Sequence, residues 1–221
     1  MSFHWNVERA RFNMIEQQIR PWDVLDPVVL SVLTIVRRED FVPDAYRALA
    51  FMDTEIPLPE GQCMLAPRVE ARLLQELQLQ RHETVLEIGA GSGFMAALLA
   101  HRVRHVVSLE ISPVLAQLAQ DNLRKAAVMN AAVRCQDGVM GVPDEAPFDA
   151  ILLSGSVAEV PQVLLQQLKI GGRLLAIVGD EPVMRARLYR RTDGASWSQA
   201  DLFDTVAPRL RGFPESARFS F

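Results

Sequence analysis

Val85-Leu86-Glu87-Ile88-Gly89-Ala90-Gly91-Ser92-Gly93 is the stretch on which the reading of this chain turns. TVLEIG at 84–89 has the length and apolar character of a short buried strand running into glycines. The run FMAALLA at 94–100, after Gly93, reads as a helix. Glycines at such a junction let a ligand approach the backbone, because no Cβ stands in the way. The next strand, HVVSLE at 105–110, ends in Glu110, 21 positions beyond Gly89. A carboxylate there can accept hydrogen bonds from both hydroxyls of a ribose.

The residues around the loop narrow the ligand. A dinucleotide fingerprint would want glycine at position 94, which is Phe94. Glu87, at the strand end, would repel a pyrophosphate and attract an ammonium. No Lys-Ser or Lys-Thr follows the glycines, so a nucleoside-triphosphate loop is excluded. S-adenosylmethionine carries an ammonium, a sulfonium and a ribose but no phosphate, and so suits Glu87 and Glu110 better than NAD does. Asp137-Gly138, just after the third strand, lies where a carboxylate can meet an adenine amino group. By itself that pair reads equally well as a turn. Ser154 closes the strand DAILLS (149–154), at the rim where ligands of open α/β sheets sit. The candidate cofactor residues are Glu87, Gly89, Gly91, Gly93, Glu110, Ile111, Asp137, Gly138 and Ser154.

Outward from the loop, strands and helices alternate. Ser112 and Pro113 open a helix through Leu115, Leu118, Ala119 and Leu123. AAVRC (131–135), DAILLS and RLLAIVG (173–179) read as strands, with a helix over Val163 to Leu168. The pattern implies βαβ units and a mostly parallel sheet. The segments ARLYRR, DLFDTV and ARFSF near the end have no helices between them and predict antiparallel pairing. The fold class is α/β, a Rossmann-like S-adenosylmethionine-dependent methyltransferase fold with an N-terminal helical extension.

That extension occupies residues 1–80, ahead of a cofactor domain at 81–221. Phe12, Ile15 and Ile19 recur at helical spacing. Asp26 and Pro27 cap and open a helix whose apolar stripe is Val28, Val29, Val32, Leu33 and Val36. Pro43, Pro57, Pro59, Gly61 and Pro67 punctuate a long loop of the kind that carries function. Pro67 then opens a helix burying Val69, Leu73, Leu74 and Leu77.

Composition sets the outer bounds. The 221 residues are 49% hydrophobic and 23% charged, enough for a sizeable core and too apolar for wholesale disorder. A net charge of −4 argues against an obligate nucleic-acid binder. Cys63 and Cys135 are too few for a disulfide scaffold, and Cys135, inside a strand, reads as a core residue. The N-terminus has no apolar signal region, and Asp26 and Pro27 interrupt the run from Val24 to Val36. A soluble cytoplasmic protein, neither membrane-bound nor metal-binding, is the expectation.

Methyl transfer asks the protein mainly to position a nucleophile. Ser154-Gly155-Ser156-Val157 is unlike the Asn-Pro-Pro-Tyr of base-amine methyltransferases, and neither cysteine follows a proline. His4, His82, His101 and His105 fall in no motif and read as surface residues. A carboxylate acceptor, already anionic at neutral pH, needs no base.

These residues resemble the protein-L-isoaspartate O-methyltransferase family over most of the chain, from Met14 to Gly179. The pieces are MIEQQI (14–19), REDFVP (38–43), LPEGQ (58–62) leading to Pro67, LEIGAGSGF, APFDAILLSG (146–155) and VPQVLLQQLKIGGRLLAIVG (160–179). The resemblance implies methylation of the free α-carboxylate of isoaspartyl residues in damaged proteins. The ester collapses to a succinimide that can reopen to aspartate. It also implies that Gly61 to Pro67 form the substrate loop over the methyl group. The family's loop reads Thr-Ile-Ser-Gln-Pro after the Gly-Gln pair, with the Ser hydroxyl near the methyl. Here it reads Cys63-Met64-Leu65-Ala66-Pro67, so the substrate-loop positions Cys63, Met64 and Leu65 supply no evident catalytic side chain. The segment Ala207-Pro208-Arg209-Leu210 also departs, since the family has apolar residues on both sides of the proline. A peptide or protein carboxylate is the expected acceptor. An apolar small molecule, or a non-catalytic cofactor-binding module, remain the alternatives, and the sequence leaves oligomeric state open.

Overall fold

A computed structural model describes residues 3–215 of the chain. Its centre is a seven-stranded sheet in the order β5-β4-β3-β6-β7-β8-β9. The strands are β3 (Thr84–Ile88), β4 (His105–Glu110), β5 (Ala131–Cys135), β6 (Phe148–Val157), β7 (Leu168–Asp180), β8 (Val183–Arg191) and β9 (Trp197–Asp204). The first five run parallel, and β8 and β9 add antiparallel strands at one edge. A separate two-stranded ribbon pairs β1 (Ile56–Pro57) with β2 (Cys63–Met64). Chain order reverses on either side of β3, which has β4 to one side and β6 to the other. A crevice therefore opens at its carboxyl end, where the glycine loop leaves the sheet.

The helices begin where local chemistry allows. Asp26 caps α2 (Pro27–Ile35), its carboxylate accepting from the N–H of Val28 at 2.7 Å and of Val29 at 3.4 Å. Such a cap contributes about 1 kcal/mol. Ser112 does the same for α5 (Pro113–Lys125), accepting from Leu115 N–H at 3.2 Å. Pro27, Pro67 and Pro113 sit in first turns, where a missing N–H costs nothing. α3 (Pro67–Glu76) buries Val69, Leu73 and Leu74, with Leu77 at its end. Burying each such leucine stabilises the fold by roughly 1.5–3 kcal/mol.

Strand alternation divides the core into two layers. Val85, Leu175 and Ile177 face one side, packing with α4 (Phe94–Ala100), α3, α2 and the buried residues of the N-terminal segment. Leu86, Ile88, Leu174 and Ala176 face the other, with Leu164 and Leu165 of α6 (Gln162–Gln166). The N-terminal segment thus covers one sheet face and shares its core. Arg173 of β7 fastens the join: its guanidinium pairs with both oxygens of Glu83 at 2.6 and 2.7 Å and donates to Leu77 O at 2.7 Å.

Several sequence expectations need correction. α1 (Phe3–Met14) leaves Phe12 62% exposed, because the inward position one residue earlier is taken by Arg11, buried in an ion pair with Glu39. Val28, at the first exposed turn of α2, faces outward, and Leu30 is buried instead. α6 ends at Gln166, since Leu168 already belongs to β7. Cys135 is exposed, because β5 is an edge strand and Cys135 its last residue. His82 and His101 are exposed, and His105 is half-buried. The ARFSF segment lies outside the described residues. Among those described, no helix is long and apolar enough to cross a membrane.

Candidate functional site

The glycine loop is built for close approach. Gly89, Gly91 and Gly93 all have positive φ, at 96°, 53° and 83°, which other residues adopt only with strain. Gly89 and Ala90 donate to Leu109 O at 2.8 and 3.2 Å, fixing the loop against the end of β4. Glu110 completes the frame. One carboxylate oxygen accepts from Gly91 N–H at 2.9 Å and the other from Ser112 N–H at 3.0 Å. Each oxygen keeps a lone pair for a further donor.

A cleft of about 500 Å³, counting its open mouth, lies over this frame. Its floor is formed by Gly89, Gly91 and Glu110, with Ile111, Gln136, Gly138 and Ser154 around it. Gly138 has no room for a side chain, since a Cβ there would fall 2.2 Å from Ile88 Cγ2. The roof comes from two distant segments: Gln62 and Cys63 on one side, Leu210 and Arg211 on the other. Ser156 N–H donates to Pro208 O at 2.8 Å, and Leu210 N–H to Ser156 O at 2.9 Å, so the C-terminal segment is stitched to the end of β6. An ion pair between Arg211 and Glu60, 2.8 Å long, joins the two halves of the roof. The hydrogen bond from Arg211 holds the Glu60 carboxyl below its usual range.

Glu87 stands apart. It is fully buried, does not line the cleft, and accepts from the hydroxyls of Ser108 at 2.6 Å and Ser154 at 2.9 Å. Burial pushes its carboxyl up to about 7, against the pull of those two hydrogen bonds. Ser154, which does line the cleft, stands between this carboxylate and the cleft. Gly93 also lies off the cleft, packed against Ala119 of α5. Asp137 is exposed and accepts from Val139 N–H at 3.0 Å, closing its own turn, while its neighbours Gln136 and Gly138 face the ligand space.

A second, narrower cavity adjoins the first at the loop. Cys63, Met64 and Leu65 line it together with Gly89, Gly91, Ser92, Met95, Ser154 and Glu70. Cys63, Gly89, Gly91 and Ser154 belong to both spaces, so the two meet at the glycine loop. Burial, with Glu55 beside it, pushes the Cys63 thiol up to about 12, which leaves it protonated and a poor nucleophile at neutral pH. Glu70 was not among the residues singled out from sequence. The sign was there: position 70 lies on the same helical stripe as Leu73, Leu74 and Leu77. Leu210 was marked only by its place in the divergent segment after Pro208, and Arg211 gave no signal, both being over a hundred positions from the loop they cover.

A cleft floored by a glycine cradle, with both oxygens of the Glu110 carboxylate at its edge and at the switch point of an open sheet, fits S-adenosylmethionine. The protein is an S-adenosylmethionine-dependent methyltransferase. The chain matches the family described as Protein-L-isoaspartate(D-aspartate) O-methyltransferase over residues 9–206. It belongs to that family. It is 43% identical over 175 residues to Protein-L-isoaspartate O-methyltransferase 1 of Syntrophobacter fumaroxidans, covering 79% of this chain and 82% of that one. It is 40% identical over 203 residues to the enzyme of Herpetosiphon aurantiacus, covering 91% and 89%. In three dimensions it superimposes on a crystal structure of a Plasmodium falciparum protein-L-isoaspartate O-methyltransferase homologue in complex with S-adenosyl-L-homocysteine. The TM-score is 0.78, over 93% of this chain and 98% of that one, at 18% identity.

Proposed function

We propose that this chain transfers the methyl of S-adenosylmethionine to the free carboxylate of isoaspartyl residues in proteins. The observation that carries the reading is the family match over residues 9–206, and the paired cavities meeting at Gly89 and Gly91 agree with it. The cofactor brings a methyl group activated by the adjoining sulfonium. Glu110 would hold the ribose hydroxyls, Gly138 and Gln136 would flank the adenine, and Ser154 would face the methionine end with Glu87 behind it. Gly93 lets α4 close on α5 and so supports the loop from behind, and Asp137 shapes the turn that presents Gly138. Ile111 covers the ribose. Residues 1–80 act as a cap whose segment Cys63, Met64 and Leu65 walls the acceptor space, while 81–221 hold the cofactor.

With cofactor bound, the residues around the loop would hold an acceptor oxygen in line with that methyl, and the transfer would leave an ester and the thioether of the spent cofactor. A carboxylate is already ionised for this step, so positioning is what the protein supplies. Incubation with labelled S-adenosylmethionine and an isoaspartyl peptide should yield a base-labile methyl ester. No ester, under conditions where a known repair enzyme makes one, would overturn the reading. The apolar walls of Met64, Leu65 and Met95 favour one other acceptor class, an apolar small molecule, which a metabolite screen with the same labelled cofactor would reveal.

A further inference from the structure

The acceptor cavity contains a carboxyl that the reaction as drawn does not use. Glu70 reaches it from α3, is 5% exposed, and lines the space with Cys63, Met64 and Leu65. One of its oxygens, Oε2, pairs with Arg38, whose other amino group donates to Leu65 O at 2.7 Å. Among the described residues, Oε1 has no hydrogen-bond donor. The remaining groups give an anionic acceptor little to hold. Met64 and Leu65 offer no side-chain donor, Ser154 has committed its proton to Glu87, and the Cys63 thiol is a weak donor held beside Glu55. Ser92 keeps a hydroxyl at the start of α4, accepting from Phe94 N–H at 3.4 Å.

We propose that Glu70 is the acceptor-recognising group of this cavity, taking up a proton from solvent as the acceptor carboxylate enters and donating it to that carboxylate as a hydrogen bond. The inference rests on the reading of the acceptor as a carboxylate and names the residue that selects it. Two carboxylates confined side by side cannot both stay ionised, so one shares the other's proton. Burial supports this, holding the Glu70 carboxyl up to about 7 even with Arg38 beside it. The charged groups facing it are few. Arg38 comes from the turn at 38–40, the Cys63 thiol from the acceptor loop, and Glu87 from β3. The adjoining turn at Ile15–Ile19 brings only Glu16, which is bound to Arg20. α2 and α4 carry no ionisable side chain. The proton stays on Glu70 through methyl transfer: carboxylate and sulfonium become ester and thioether, and no proton is released.

The test is the pH dependence of kcat/KM for an isoaspartyl peptide at saturating S-adenosylmethionine, in wild-type protein and Glu70→Gln. Wild-type kcat/KM should fall about tenfold per pH unit above about 7, through KM, while the pH profile of Glu70→Gln, which cannot ionise, should lose that fall. If the variant does not fold, wild-type protein loaded with S-adenosylhomocysteine is titrated with the peptide at pH 8 in two buffers of different ionisation enthalpy. Uptake approaching one proton supports the proposal and none overturns it. Ester formation with the same pH profile in both proteins, or a wild-type rate that rises with pH and is lost in Glu70→Gln, also overturns it. No ester and no peptide binding at any pH in either protein instead overturns the carboxylate reading, and this inference with it.

Discussion

Leu210 is packed against Gly89, although 121 positions separate them in sequence. A methyl placed on that glycine would lie 2.7 Å from Leu210 Cδ2 and at a backbone φ of 96°. The glycine is therefore required twice, once for its backbone and once for the residue above it. Gly89→Ala should weaken S-adenosylhomocysteine binding by about 5- to 30-fold, since strain of about 1–2 kcal/mol falls on the loop that forms the cleft floor. Leu210→Ala, which relieves the contact, should not rescue it, because the backbone strain remains. Calorimetric titration of both variants and the pair checks this.

Glu110 has two duties that a single substitution separates. Its oxygens hold Gly91 and Ser112 N–H groups at 2.9 and 3.0 Å while facing the cleft. Glu110→Ala should cost cofactor affinity by about 2–3 kcal/mol, from lost ribose contacts together with a loosened loop. Glu110→Gln, which keeps one acceptor oxygen, should lose less. Dissociation constants for S-adenosylhomocysteine compare the two.

Glu87 makes stability depend on pH. Its folded pKa, pushed up to about 7 by burial, lies above the usual carboxylate value of 4.5. Between those values the folded chain binds a proton that the unfolded chain does not. Its stabilising effect is complete below about 4.5 and is lost as pH rises through about 7. Glu87→Gln should flatten the decline in melting temperature over that window, and a series of melts from pH 5 to 8 measures it. A decline equally steep in the variant contradicts the assignment.

The Glu83–Arg173 pair should matter for folding and not for chemistry. Both side chains are buried, and Arg173 also holds the carbonyls of Leu77, Gln78 and Asp149. Glu83→Ala strands a buried guanidinium and should destabilise the protein by about 3–5 kcal/mol in urea unfolding. Cofactor affinity of the fraction that remains folded should be unchanged.

Much of this molecule is written locally. The strand 84–88, the glycines and the helix 94–100 are set by short-range rules, as are the caps at Asp26 and Ser112, and these were legible from residues alone. Edge and tertiary position were not. Cys135 looks like a core residue until β5 proves to be the outermost strand, and Phe12 looks inward-facing until Arg11 claims the buried position through Glu39. Glu87 was legible as a candidate but not as indirect: nothing in the sequence says that Ser154 stands between it and the cleft. Glu70 was hidden among apolar neighbours whose periodicity it shares, and only its charge on that stripe marks it.

The roof of the cleft carries a consequence for synthesis. It is assembled from residues near 60 and residues 210 and 211, tied by Glu60 and Arg211. A growing chain that has already folded all seven strands of its sheet still lacks one wall of the cofactor site. Cofactor retention should thus depend on residues 210 and 211 being joined to the sheet, and a cut anywhere between β9 and Leu210 should leave a folded body that releases its cofactor.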